Sequence, residues 1–239
     1  MRLHRFYVRE VVGSKKEIVI ESADLLHQIS KVFRLGIGDK VVIFDGSGSD
    51  YESEIAEMGK ITPNTVTFRV LSTANSRYVP TRKIYLCAAV VKKDNFEFIV
   101  EKATELGVTD IVPVLAERTE KKALNEERLQ KIAIESSEQS GRGNLPTIHK
   151  IMDLTEAIQF LTKQFVTFIA FHTEGSVFPP EELGDGLSIA VLIGPEGGWS
   201  PNEVDMFHKN KIQVRCLGPQ VLKAETAVVA ALSQVVFRV

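Results

Sequence analysis

Cysteine is scarce in this chain: there are only two, Cys87 and Cys216, far apart and each inside an apolar run. That excludes a disulfide framework and a cysteine-based zinc site, and it suits buried thiols in a reducing compartment. Long hydrophobic runs are missing too. The apolar runs are short, Ile189 to Ile193 among them, whereas a membrane-spanning helix takes roughly 20 such residues. No apolar stretch follows Met1-Arg2-Leu3-His4-Arg5, so no signal peptide and a cytoplasmic location are expected. Charge of one sign is not in excess either. With 29 basic and 31 acidic residues the formal net charge is -2, so any site for a polyanion must be a local patch rather than a property of the whole molecule. Hydrophobic residues at 44% and charged residues at 25% are ordinary for a globular protein and argue against disorder. The length, 239 residues, allows one large domain or two modest ones at roughly 150 residues each.

The hydrophobic pattern divides the chain. Residues 1–72 read mainly as strands, over His4–Val8, Glu17–Ile20, Lys40–Phe44, Tyr51–Ile55 and Thr65–Leu71. Turn signals such as Asp45-Gly46-Ser47-Gly48 and Thr62-Pro63-Asn64 separate them. One helix interrupts, capped by Ser22 and carrying Leu25, Leu26, Ile29, Val32 and Phe33 at helical period. Close-spaced short strands predict a small β-barrel-like domain over 1–72, and the polar stretch from Leu71 to Arg82 reads as a linker. From residue 73 to 239 the pattern is a strand–helix alternation, which predicts a parallel α/β sheet. Ile84–Val91 is apolar throughout, as a doubly covered strand requires. Asp94 with Glu97 reads as a helix cap, and Gly107 as that helix's end. A strand follows at Asp110–Leu115, and Asn125 begins a helix that closes near Gly141. Asp153 with Glu156 begins another. Strands are expected at Phe165–Phe171, Ser188–Ile193 and Ile212–Leu217, and helices from Ser200-Pro201-Asn202-Glu203 and over Ala224–Phe237.

Two segments carry the sharpest signals. Ile193-Gly194-Pro195-Glu196-Gly197-Gly198-Trp199-Ser200 leads from a buried strand into a helix, and Leu217-Gly218-Pro219-Gln220-Val221-Leu222-Lys223-Ala224-Glu225-Thr226-Ala227 does the same. Glycines let a backbone pass close to a ligand, and helix starts offer free N–H groups. Open α/β sheets hold ligands at the carboxyl ends of their strands. Spacing alone leaves a purely geometric turn equally open at both places, and neither matches a Walker or dinucleotide fingerprint. His172, just after a strand, stands at the same sheet edge. Arg142, beyond the polar helix end Glu135-Ser136-Ser137-Glu138-Gln139-Ser140-Gly141, is placed to bind a phosphate or simply follows a glycine cap. Arg2, His4, Arg5 and Arg9 with His27, Lys31 and Arg34 form either one basic patch or a solvated charged face. The histidines lack metal-ligand spacing, so no metal is expected.

Taken together, these segments resemble the RsmE family of SPOUT-type methyltransferases. The likeness also covers Arg5-Phe6-Tyr7, His27 through Arg34 with Gly38-Asp39, Phe44-Asp45-Gly46, Glu101-Lys102-Ala103-Thr104-Glu105-Leu106-Gly107-Val108, Glu117-Arg118 and Glu138-Gln139-Ser140-Gly141-Arg142. It spans nearly the whole chain in order. The resemblance implies a PUA-like β-barrel followed by a SPOUT-type α/β domain with a C-terminal trefoil knot, acting as a homodimer. It implies methylation of N3 of a uridine in 16S ribosomal RNA, naked or in the assembled small subunit, with S-adenosylmethionine as donor. It also implies that the donor lies among Phe171 and His172, Ile193, Gly194, Pro195 and Gly198, and Leu217, Gly218, Val221, Leu222, Thr226 and Ala227.

The chain departs from the family where Gln220 and Lys223 stand at positions commonly held by arginine; lysine keeps the charge without the planar fork, and glutamine loses both. Uridine N3 carries a proton, so transfer needs a base or a cation beside it. Lys223 is the expected cation and Glu196 the candidate base, with Arg2, Arg5, His27, Arg34 and Arg142 on the RNA. Two other readings stay open: a non-catalytic RNA-binding or ribosome-assembly protein that keeps the fold, and methylation of another RNA such as transfer RNA.

Overall fold

The computed structural model describes residues 3–80, 82–164, 166–179 and 188–236. By its contacts the chain forms two compact units. One is Met1–Val79 with Ser137–Leu145; the other is Pro80–Ser136 with Pro146–Val239.

The first unit is a five-stranded sheet in the order β1-β3-β4-β5-β2. Its strands are β1 (Arg5–Tyr7), β2 (Glu17–Glu21), β3 (Lys40–Phe44), β4 (Ser49–Met58) and β5 (Thr65–Asn75). β1 and β3 run parallel and the other pairs antiparallel. Alternation decides the inward face. In β2, Ile18 and Ile20 are buried between exposed glutamates, as a strand's two-residue period requires. Phe6, Ile43, Tyr51, Ile55 and Phe68 complete the core. The segment expected as a linker from Leu71 is instead strand as far as Asn75. Ser72, Thr73 and Ala74 pair with Glu52, Tyr51 and Asp50, because a ladder needs backbone partners, not apolar side chains. Helix α1 (Ala23–His27) begins where Ser22 Oγ accepts the Leu25 N–H at 3.2 Å. A π-helical turn, Gln28–Val32, follows, with Phe33 N bonded to the Gln28 carbonyl at 3.0 Å. The regular helical face expected for positions 27, 31 and 34 therefore breaks, and Arg34 sits at φ +57°.

Residues 137–145 join this unit through named bonds. Glu138 accepts from Tyr7 N and from Gln28 Nε2, each at 2.8 Å. A Cβ on Gly143 would lie 2.3 Å from the Ser76 Cβ, so only glycine fits there.

The second unit is a parallel sheet in the order β12-β10-β11-β6-β7-β8, with β9 also paired to β7. The strands are β6 (Ile84–Ala89), β7 (Asp110–Leu115), β8 (Thr147–Ile148), β9 (Met152–Asp153), β10 (Thr167–Val177), β11 (Ile189–Ile193) and β12 (Gln213–Cys216). β6 and β11 are buried at every residue, which their unbroken apolar runs predict for central strands. Helices α2 (Lys93–Glu105), α3 (Glu126–Ser140) and α6 (Ala224–Val236) pack one face of the sheet through Phe96, Ile99, Leu129, Val228 and Leu232. Helices α4 (Leu154–Thr162) and α5 (Pro201–Lys209) pack the other through Leu154, Ile158, Leu161 and Phe207. Full capping boxes start α4 and α5, and Asn125 Oδ1 accepts from Arg128 N at 3.0 Å. The cap expected of Asp94 is different: Lys92 is the N-cap, without a side-chain bond, and Asp94 lies inside the first turn. A carboxylate there still favours the helix through its dipole.

Candidate functional site at the sheet's carboxyl edge

Parallel strands bring their carboxyl ends to one edge, and β10, β11 and β12 are neighbours there. Their loops contain most of the residues that the sequence singles out. β10 does not stop at Phe171. Both Phe171 and Ser176 pair with Arg215, and His172 to Gly175 bulge out between them. His172 Nδ1 receives the Glu174 N–H at 3.1 Å, which shapes the bulge. A Cβ on Gly175 would stand 2.4 Å from the Arg215 carbonyl carbon, so the chain can rejoin β12 only with glycine at this point.

After β11 comes a tight turn, in which Gly198 N donates to the Pro195 carbonyl at 2.8 Å and Gly198 takes φ +67°. Trp199 is buried, and its Nε1 donates to the Phe171 carbonyl at 3.1 Å. The indole so ties the β11 loop to the end of β10. Gly194 packs against it; a Cβ there would be 3.2 Å from the ring. On the other side Arg118, beyond β7, donates from Nη1 to the Gly197 carbonyl at 2.7 Å and reaches the Trp199 carbonyl at 3.4 Å. Glu203 is 2% exposed and fully engaged: one oxygen accepts Glu117 N at 2.9 Å, the other Ser200 N at 2.7 Å. Sequence reasoning reads Glu203 only as a capping residue and gives Arg118, Glu117 and the Trp199 indole no task. The dipeptide Glu117-Arg118 is visible in the chain, but the separation of 79 positions from Arg118 to Gly197 hides their meeting.

The loop after β12 is open. Val221 is 83% exposed, and Gln220 and Lys223 are exposed as well. The Lys223 carbonyl accepts Ala227 N at 2.8 Å, which starts α6; Thr226 faces solvent in that first turn. Val221 and Leu222 expose apolar side chains in this loop, and Gly198 and Gly218 take positive φ in theirs. Glu196, exposed at the tip of the β11 turn, is on this edge too.

The expected RNA contacts are placed differently. Arg2 lies outside the described residues. Arg5 is engaged, making a two-point ion pair with Asp50 (Nη2 to Oδ1, 2.9 Å) and lying 4.9 Å from the Phe44 ring centroid. Arg142 is 3% exposed, and burial depresses its guanidinium to about 10. Its carbonyl accepts from Arg5 at 3.2 Å and its Nε donates to Asn144. His27, Lys31 and Arg34 are exposed and present the solvent-facing charge of this unit's helical turn.

The fold defines a two-unit class of protein, a parallel α/β unit with glycine-rich turns at one sheet edge and a small β-unit. The comparisons make the class specific. A family model described as RNA methyltransferase domain matches residues 78–236, and one described as RNA methyltransferase PUA domain matches residues 29–66. The chain is 27% identical to the ribosomal RNA small subunit methyltransferase E of Rickettsia conorii, covering 98% of this chain and 96% of that one. It is 30% identical to the protein of the same name from Synechocystis, over 88% of this chain and 70% of the relative. The crystal structure of the Neisseria gonorrhoeae ribosomal RNA small subunit methyltransferase E bound to S-adenosyl methionine superposes with a TM-score of 0.87. That pair is 25% identical, over 97% of this chain and 96% of the other. The chain belongs to the RNA methyltransferase family, in its small-subunit methyltransferase E branch. Its first unit is PUA-like and its second is a SPOUT-type α/β domain.

Proposed function

We propose that this protein methylates N3 of a specific uridine in 16S ribosomal RNA of the small subunit, in the cytoplasm, as a homodimer. The likeness over the whole chain to a relative solved with S-adenosyl methionine carries the reading. The trefoil knot of the SPOUT-type domain goes with it. Phe171, the Gly194–Gly198 turn and Leu217–Leu222 hold the donor, largely through backbone, with Thr226 and Ala227 at the start of α6. S-Adenosylmethionine supplies a methyl group on sulfonium, reactive enough that no metal is required. The protein's task is alignment and charge. Arg118, Trp199 and Glu203 keep the β11 turn rigid, so the donor's bed does not have to order on binding. Lys223 lies on the open β12 loop, where it stabilises charge that develops on the uracil. Exposed His27, Lys31 and Arg34 give the PUA-like unit its phosphate contacts, and a flipped or single-stranded nucleotide is the form that reaches the edge.

The test is methyl transfer from labelled S-adenosylmethionine to small subunits from cells lacking this protein, with the nucleoside identified by mass spectrometry. Label in 3-methyluridine is the expected result. Donor binding without label in ribosomal RNA would favour the assembly-factor reading, to which the exposed Gln220 in place of a cation points; label in transfer RNA would redirect the substrate.

A further inference from the structure

The glycine-rich loops lie over β10, β11 and β12. The sheet has a second feature at the same edge. From β6 the chain crosses through α2 to β7 on one side, with α2 on one face of the sheet. From β11 it crosses through α5 to β12 on the other side, with α5 on the opposite face. β6 and β11 are neighbours, and Ile193 pairs with Ala88 on their last rung. Beyond it the two chains leave in opposite directions. Such a switch point opens a crevice at the carboxyl edge of a parallel sheet. A cavity of about 280 Å³ is present here, lined by Val90, Val91, Lys92, Glu120, Lys121 and Glu196.

We propose that this switch-point cavity receives the acceptor uracil, with Lys92, Lys121 and Glu196 reading the N3 edge of the base. The inference rests on the function proposed above and adds the acceptor's seat to it. Three observations carry it. The lining holds two cations and two carboxylates over an apolar floor of buried Val90 and Val91, which suits a neutral planar heterocycle and not a free polyanion. The uracil edge presents acceptor, donor, acceptor at O2, N3–H and O4; lysine, carboxylate, lysine is its complement. And Glu196 belongs to the same turn that bounds the donor segments, so that acceptor and donor sites share one wall. A second cavity of about 490 Å³, lined by Glu97, Ala123, Leu124, Asn125 and Leu129, shares Lys121 and leaves room for ribose and phosphate.

The step balances without another reactant. Glu196 takes the N3 proton, and the lysines hold the charge left on O2 and O4. The freed N3 pair bonds to the methyl carbon as the carbon–sulfur pair returns to sulfur, giving the neutral thioether, the methylated base and a protonated carboxyl that later releases its proton to water. Cytosine presents an amine where uracil has O4 and lacks the N3 proton. It leaves a lysine and a carboxylate facing the wrong partners, a mismatch that sites of this kind reject strongly.

Full-length wild type, Glu196→Gln, Lys92→Ala and Lys121→Ala are compared on small subunits lacking the modification. Lys92 and Glu196 are exposed and Lys121 is half-buried, so folding is expected to survive all three substitutions, and S-adenosylmethionine binding by calorimetry is expected to be unchanged. Glu196→Gln should lower kcat by about 10²–10⁴-fold with little change in KM, whereas the lysine variants should raise KM for the subunit. Independently of turnover, wild type irradiated on the subunit with S-adenosylhomocysteine should carry a uridine adduct on the peptide holding Val90–Lys92 or Glu120–Lys121. Adducts confined to other peptides, or Glu196→Gln turning over like wild type while wild type forms 3-methyluridine, would overturn this assignment and leave the function standing. Failure of wild type itself to methylate would overturn both.

Discussion

Single side chains set sharp limits in this molecule. Gly175 is one: the Arg215 backbone occupies the place of its Cβ at 2.4 Å, and backbone cannot step aside as a flexible side chain does. Gly175→Ala is expected to destabilise by about 1–3 kcal/mol, as overpacking typically does, while Thr173→Ala on the exposed bulge should leave the denaturation midpoint unchanged. Cys87 is another. Burial pushes its thiol up to about 12, and the thiolate is the reactive form. Native protein treated with an alkylating reagent should be modified at the partly exposed Cys216 alone, with Cys87 reacting only after denaturant is added. Modification of both in the native state would contradict the packing. Asp45 gives a pH dependence. Burial pushes its carboxyl up, but hydrogen bonds from Ser47 and the Val12 amide outweigh that and hold it below the usual range. A group whose folded value is lowered stabilises above its unfolded value and loses that stabilisation as pH falls through the folded one. The stability gap between wild type and Asp45→Asn should therefore be constant at neutral pH and shrink below about pH 4, where free carboxyls protonate.

At the scale of elements, the β11 turn is held from two directions, by the Trp199 indole on β10 and by Arg118 from beyond β7. Arg118→Ala removes a charge-assisted bond to the Gly197 carbonyl, so donor affinity is expected to fall roughly tenfold, about 1.4 kcal/mol, with Arg118→Lys recovering part of it. Calorimetric titration decides this. Much of the element pattern was legible: the capping boxes of α4 and α5, the asparagine that starts α3 and the glycines ending α2 and α3 all stand where local chemistry puts them. The misreadings share a cause. Ser72 to Asn75 looked like a linker and is strand, because β4 supplies its bonds. The helix after Ser22 widens into a π turn, and no residue in Gln28–Val32 announces that locally. β10 was expected to end at Phe171, yet resumes at Ser176 because β12 is there to pair with.

Across the whole molecule, a net charge of -2 hides a local bias. With Arg5 paired to Asp50 and Arg142 buried, the phosphate contacts of the proposed function fall to the exposed His27, Lys31 and Arg34. RNA affinity should fall as salt rises, with a log–log slope that reflects only a few contacts. Lys31→Ala with Arg34→Ala should reduce that slope; an unchanged slope would move the RNA surface elsewhere.

The sequence by itself determined the things that local chemistry and period control: a strand-rich first part and a strand–helix second part, the doubly buried strands β6 and β11, most helix starts and stops, and the two glycine-rich turns at strand-to-helix junctions. Only the tertiary structure decided which of these meet. It placed β11 between β6 and β10 so that their loops diverge over one crevice, brought Arg118 onto a turn 79 residues away, gathered residues 137–145 into the first unit and buried Arg142 there. The reason is physical. Periodicity and capping act within a few residues, whereas strand order and long-range hydrogen bonds are fixed by which buried surfaces and unpaired backbone groups find partners when the whole chain packs.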